Sequence, residues 1–364
     1  MLRAYVPWVL ELCAGLGLIA ATLLGSQRFE LLDLHRFLLC WIGVLIALDG
    51  LARWLRGSSP LATPRDWAAC ALCSVVFWDV FELVDLRLKN WWYTGISPSP
   101  LQSALFGGLC FATVLPAVRL GLHALGGPGG APGPLRLKPR TLFALGAGSL
   151  ALALAFPRVA YPLAWLFLWP LCEALASRFP ARELPTPLEA QDARLWLRLL
   201  ALGLPLGLTW EALNWGCARG WVYTVPGFES PKLFEMPLPG YLGYLPFLLE
   251  AGAALALLDR VLPLLKGSRG ALAAAAVVTF HFAIDPSARA RTDLSYEARG
   301  CKGAQDALCA VENATHMGLE RARRYQALGI SGLDALARAD WKDLSRKSGD
   351  DPAVVRLFIE KARR

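Results

Sequence analysis

Charge is what this sequence has least of. Of its 364 residues, 18% are Asp, Glu, Lys or Arg and 55% are hydrophobic; soluble domains carry about 25% charge. That scarcity excludes an ordinary soluble globular protein and a disordered chain. Recognisable chemistry motifs are missing too. There is no metal-ligand cluster, no Gly-rich phosphate loop and no Ser/His/Asp order. The first apolar run lacks a small-residue cleavage site, so it reads as a first spanning helix rather than a removable signal.

Present instead are runs of about 20 apolar residues through 1–285, followed by an ordinary polar stretch over 286–364. A crossing helix needs about 20 residues at 1.5 Å rise each. Nine segments qualify as candidates: 5–25, 37–55, 67–86, 101–124, 141–157, 160–178, 195–215, 240–263 and 270–284. The last is short and Ala-rich, so the count is eight or nine and the side of the tail follows from it. The expected fold is therefore all-α: a polytopic membrane bundle plus a small helical C-terminal domain. A Gly/Pro-rich linker, 126–140, divides the membrane part into 1–125 and 141–285.

These halves look like two four-helix repeats. One holds Trp78, Glu82 and Asp85 followed by Trp91-Trp92-Tyr93-Thr94. The other holds Trp210, Glu211 and Asn214 followed by Trp221-Val222-Tyr223-Thr224. The preceding helices match more loosely, Trp41 with Asp49 and Arg53 against Trp169 with Glu173 and Arg178. An even number of helices per repeat gives both halves one orientation. Net charge is +8, 37 Lys+Arg against 29 Asp+Glu. The basic bias, with Arg53, Arg56, Arg65, Arg178 and Arg194 on one side, puts the N-terminus in the cytoplasm, in a setting such as a bacterial inner membrane. Seven of the nine cysteines lie in or beside apolar segments and read as small hydrophobes. Cys301 and Cys309 flank a polar stretch and could bond in an oxidising compartment.

Ionisable groups inside a bilayer cost roughly 2.5–3.5 kcal/mol each on insertion scales. Asp49, Asp79, Glu82, Asp85, Glu173, Glu211, Glu250 and His281 should therefore face the bundle interior. Glu82 with Asp85, and Glu211 with Asn214, each share one helical face. If the halves pack about a pseudo-twofold axis, Glu82 and Glu211 meet across one cavity. One could then hold a proton while the other stays anionic, and Asp85, Asn214, Trp91, Tyr93, Trp210, Trp221 and Tyr223 would line the substrate. The alternative is structural: carboxylates paired with Arg87, Lys89 or Arg219, and tryptophans in an interfacial belt. Asp49–Arg53 and Glu173–Arg178 read as one-turn ion pairs. Asp285 follows His281 by four residues, a spacing open to a proton relay or a helix-end bond. The stretch Phe234 to Phe247, rich in Pro and Gly, suits either a bent approach to a helix or an ordinary helix start with interfacial tyrosines.

In the second half Glu211, Trp221-Val222-Tyr223 and Phe234-Glu235-Met236-Pro237 resemble membrane-embedded carotenoid-modifying proteins, the heterodimer-type lycopene cyclases and carotenoid hydratases. The resemblance covers about 60 residues, and Glu-Met-Pro stands where the cyclases have Pro-x-Glu-Glu. It implies acid-initiated chemistry on an isoprenoid alkene, with Glu211 and Glu235 as acids and Tyr223 beside the substrate. The tail over 318–364 resembles a helix-hairpin-helix or SAM-like mini-domain, with Ser331 and Asp350 or Asp351 as caps. It carries 7 Asp+Glu against 11 Lys+Arg, a small excess of base that gives a weak footprint for nucleic acid and favours a protein partner. Two functions follow. One is an enzyme on a lipid or isoprenoid with Glu82, Glu211 and Glu235 as proton-handling groups. The other is a binder, transporter or anchor whose tail recruits a partner. No cofactor is indicated.

Overall fold

A computed structural model describes residues 6–95, 99–135, 137–190, 193–226, 231–292, 307–315, 317 and 319–363. Each of the nine apolar segments becomes helix. They are α1 (Val6–Gly25), α3 (Arg36–Arg56, after the short α2, Glu30–Leu34), α4 (Pro64–Leu88) and the broken pair α5 (Pro100–Phe111) and α6 (Val114–Ala124). In the second half they are α7 (Pro139–Ala155), a 3₁₀ turn running into α8 (Leu168–Ala176), α9 (Arg194–Asn214), α10 (Tyr244–Val261) and α11 (Ser268–Thr292). Among the described residues, five segments are long and apolar enough to cross a membrane: Trp8–Gly25, Arg36–Arg56, Pro64–Leu88, Pro100–Ala124 and Leu238–Leu264. α7 and the segment Tyr161–Ala176 are apolar but shorter, and α9 carries Arg194, Arg198 and Glu211.

Local chemistry sets the helix ends. Thr63 and Asp66 close a capping box at the start of α4, with Pro64 in the first turn. Between α5 and α6 the Ser74 hydroxyl donates to Phe111 O and accepts from Leu115 N, which holds the break open without orphaned groups. α1 and α3 pack backbone to backbone: a Cβ on Gly15 would stand 2.5 Å from Gly43 O, and one on Gly43 2.7 Å from Gly15 O. Small residues at such crossings are how helices associate in lipid.

Polarity is distributed as lipid demands. Leu10, Leu16, Leu24, Phe143, Leu197 and Leu272 are more than half exposed, whereas Asp85, Glu173, Glu211 and Glu250 are fully buried. The Glu250 side chain accepts from Leu168 N (2.8 Å), filling one of the free amides at the start of α8. Arg119 on α6 and Asp259 on α10 tie the two halves at 2.7 Å.

Strands were not expected, yet they join the halves. β1 (Trp91–Thr94) pairs antiparallel with β2 (Gly220–Tyr223), Trp91 opposite Tyr223 and Tyr93 opposite Trp221. A second ribbon, β3 (Lys232–Leu233) with β4 (Met236–Pro237), turns through Phe234 and Glu235, and Phe234 adopts φ 56° to do so. A 3₁₀ segment, Leu238–Gly243, then leads into α10. The Phe234 to Phe247 stretch thus enters α10 through a ribbon turn and a 3₁₀ segment.

The tail forms α12 (Ala307–Thr315), α13 (Leu319–Ala327), α14 (Leu333–Ala337), α15 (Trp341–Ser348) and α16 (Pro352–Arg363). Asp351 accepts from Ala353 N at the start of α16, as expected. Ser331 does not cap: Gly332 holds the α14 N-cap position with no side-chain bond. Asp350 instead gathers Arg321, Arg324 and the Tyr325 hydroxyl. Burial, and then the Asp350 charge, push the Tyr325 hydroxyl above its ordinary pKa of 10. Val311, Met317, Tyr325, Leu336, Val355 and Phe358 form the tail core, and Trp92 and Val222 belong to the same cluster. The tail is thus seated on the β1–β2 ribbon. Cys309 is disulfide-bonded; Cys301 lies outside the described residues.

Candidate functional site

Alternation along the ribbon divides its side chains between two faces. Trp92 and Val222 join the tail core, while Trp91, Tyr93, Trp221 and Tyr223 face the membrane bundle and its cavities. Each half then builds one carboxylate site. Glu82 Oε1 accepts the indole N–H groups of Trp78 (2.9 Å) and Trp91 (3.3 Å) and the Tyr93 hydroxyl. Glu211 Oε1 accepts the hydroxyls of Tyr223 (2.7 Å) and Tyr244 (2.6 Å), and Trp221 donates to the Tyr223 oxygen (2.7 Å). Glu211 Oε2 is buried without a hydrogen-bond partner. Burial, and then the Glu211 charge, push the Tyr223 hydroxyl well above its ordinary pKa of 10 and keep it a donor.

Asp85 and Asn214 do other work. Asp85 Oδ1 accepts from Asn90 N (2.7 Å) at the approach to β1. Asn214 accepts from Trp221 N (3.0 Å) and donates to Trp221 O (2.8 Å) in β2. The pair expected beside substrate therefore fixes the two strands that carry the aromatic residues. Gly220 makes room for Asn214, since a Cβ there would stand 2.4 Å from Oδ1. Glu235 sits in the β3–β4 turn, buried, close enough for its charge to act on Glu211.

Neither Glu82 nor Glu211 lines either of the two neighbouring cavities; Trp78, Trp91, Tyr93, Tyr223 and Tyr244, which bond to them, do. The larger cavity measures about 360 Å³ and is walled by Trp41, Trp78, Trp91, Trp165, Trp210 and Phe247 among apolar neighbours. Tyr223, Tyr244 and Asn90 are its polar side chains nearest the carboxylate sites. A smaller space of about 50 Å³ shares Trp78, Trp91, Trp165, Trp210 and Tyr223 with it and adds Tyr93, Trp221 and Arg219. Trp210 packs edge-on to Trp41 at 4.8 Å and tilted against Trp221 at 5.1 Å. These rings form an internal wall, while Trp215 stands 56% exposed.

No known protein family, curated protein or solved structure matches this chain. What the site does has to be argued from its own geometry.

Several expected pairings changed partners. Arg87 donates to Leu154 O, Lys89 lies over the Trp92 ring and Arg219 donates to Gly95 O, so the basic residues after the helices leave Glu82 and Glu211 to their aromatic donors. Asp49 and Arg53 do pair, at 3.1 Å, and Glu11 joins them. Glu173 takes the Trp169 indole and Leu188 N–H instead of Arg178, because those donors lie inside the bundle where it is buried. His281 turns to Asp79 rather than Asp285: Nδ1 lies 3.0 Å from Asp79 Oδ1 and Nε2 2.9 Å from Ala104 O. An acceptor stands at each ring nitrogen, an arrangement that suits a doubly protonated ring facing the Asp79 carboxyl. Among the described residues no group of three metal-ligating side chains occurs.

Tyr244 is the residue of this candidate site that the sequence concealed. It reaches Glu211 only because Gly207, one turn before Glu211 on α9, has no side chain; a Cβ there would stand 2.4 Å from the Tyr244 ring. The glycine and tyrosine lie far apart in the chain, on α9 and α10, and nothing local in either segment announces the contact.

Proposed function

We propose that this is an integral membrane protein that takes a long apolar, unsaturated chain, such as an isoprenoid, into the aromatic cavity and carries out acid–base chemistry on it. The cavity walled by tryptophans with two tyrosine hydroxyls bonded to buried Glu211 supports this reading. Such rings bury an apolar chain and present their π faces to any positive charge that develops on it. The Glu211 carboxyl lies behind Tyr223 and Tyr244, and the Glu82 carboxyl behind Tyr93 and Trp91, so negative charge on either adds to that field. A proton moving between Glu211 and the cavity would pass through a tyrosine hydroxyl, with Glu235 as the second carboxylate nearby.

In this reading the halves are repeats of one orientation, met across the β1–β2 ribbon, with the N-terminus cytoplasmic. The matching roles of Asp85 and Asn214, and of Tyr93 and Tyr223, support the repeat. With α11 as a ninth crossing the tail lies outside, which fits a disulfide at Cys309. A second reading, a non-enzymatic binder, draws on the position of the carboxylates behind the wall.

Gentle purification followed by lipid extraction and native mass spectrometry tests the first step; a stoichiometric apolar ligand is expected, and only bulk phospholipid would reject the cavity reading. Glu211→Gln separates the two readings. Its amide oxygen still accepts from both tyrosines, so folding persists. The enzyme reading expects the bound compound to change to an unprocessed precursor; the binder reading expects the same compound in both proteins.

A further inference from the structure

Asn90 is one of the residues around the larger cavity, and its amide is closed in without a partner. Its backbone is fixed at both ends: N–H donates to Asp85 Oδ1 (2.7 Å) and C=O accepts from Thr224 N (2.9 Å). The residue is only 2% exposed, and neither Oδ1 nor Nδ2 has a hydrogen-bond partner. Trp41, also 2% exposed, lines the same cavity and has an indole N–H without a partner. Buried polar groups in folded proteins are nearly always paired, and leaving one unpaired is costly. Here a donor and an acceptor sit on one side chain with a fixed backbone, just behind a cavity surface made mostly of rings and aliphatic groups, and a turn of the side chain brings them to a ligand. A polar pair so placed fixes the orientation of a ligand and rejects analogues that leave it unpaired.

We infer that the ligand of this cavity is not a hydrocarbon but an apolar chain bearing a group that both donates and accepts a hydrogen bond, an alcohol or a carboxylic acid, and that Asn90 receives that group. Trp41 supplies a further donor to an oxygen on the chain. Asn90 is here a specificity residue: it positions one end of the chain while the rings bury the rest. The inference rests on the cavity reading above and adds the chemical class of its occupant.

Binding to the delipidated, full-length protein in detergent tests it, read by quenching of tryptophan fluorescence. Three probes share an isoprenoid body: geranylgeraniol, its methyl ether, which accepts but cannot donate, and the hydrocarbon squalene. The wild type is expected to bind the alcohol about tenfold more tightly than the ether or the hydrocarbon. Asn90→Leu is expected to remove that preference while leaving squalene binding within about twofold. Trp41→Phe, which keeps the ring, is expected to weaken alcohol binding several-fold if Asn90→Leu does not fold. Equal affinity of the wild type for all three probes, or a preference unchanged in both variants, overturns the inference and leaves the cavity reading standing. Failure of every probe to bind the wild type overturns the cavity reading itself.

Discussion

At the scale of single residues, this protein solves one problem repeatedly: how to hold a carboxylate away from water. Glu82 and Glu211 are held by aromatic donors, Glu250 by the first amides of α8, and Asp79 by His281. Removing one partner of such a buried pair leaves the other uncompensated, at a cost of about 3–5 kcal/mol. His281→Leu should therefore lower the thermal midpoint in detergent sharply, while His281→Leu combined with Asp79→Leu should recover much of the loss. A double variant no more stable than the single one would contradict the ion pair. Gly207→Ala acts differently. Its methyl displaces the Tyr244 ring, strips one of two hydroxyls from Glu211, and should cost roughly 1–3 kcal/mol through overpacking. Ligand co-purification should fall in the same variant; unchanged retention would show that Tyr244 does not shape the cavity.

At the scale of elements, the β1–β2 ribbon is the shared part. One face carries the four aromatic residues of the two carboxylate sites, and the other is built into the tail core through Trp92 and Val222. The Trp92 indole also donates to the Thr224 hydroxyl (2.9 Å). Truncation of a buried Trp costs about 3–5 kcal/mol. Trp92→Ala should release the tail, so that amides of α13 to α16 exchange faster while those of α3 and α4 keep their protection. Equal protection of the tail in both proteins would mean that it holds without the ribbon. Local sequence made the helices legible because a bilayer demands long apolar runs. It left the ribbon unreadable: such short strands become strands only by pairing with each other, across a long separation in the chain.

At the scale of the whole molecule, two expectations concern the tail. An exposed Lys347→Cys should react with a membrane-impermeant maleimide added outside intact cells if α11 crosses; labelling only after lysis would place the tail inside. The second is a pH dependence. The folded tail holds the Tyr325 hydroxyl protonated above its ordinary pKa of 10, through burial and the Asp350 charge. That contribution is fully present below the unfolded value and is lost as pH rises beyond it. Between about pH 8 and about pH 11 the thermal midpoint of the tail should fall in the wild type. The fall should be smaller in Tyr325→Phe, measured in the full-length protein.

By itself, the sequence determined that the chain is helical and apolar, and which carboxylates must hide from lipid. Length, hydropathy and the cost of burying charge are properties of segments, so they can be read one segment at a time. Which donor each carboxylate found was decided only in three dimensions. Glu173 passed over a nearby arginine for an indole and an amide inside the bundle, and His281 passed over Asp285 for Asp79. Glu211 gained Tyr244 through a missing side chain at Gly207. Asp85 and Asn214 stand out in the sequence as a matched pair, yet their role as supports of the ribbon appeared only once the strands were in place. A hydrogen bond needs fine accuracy between distant parts of the chain, and that accuracy comes from packing, which no local pattern encodes.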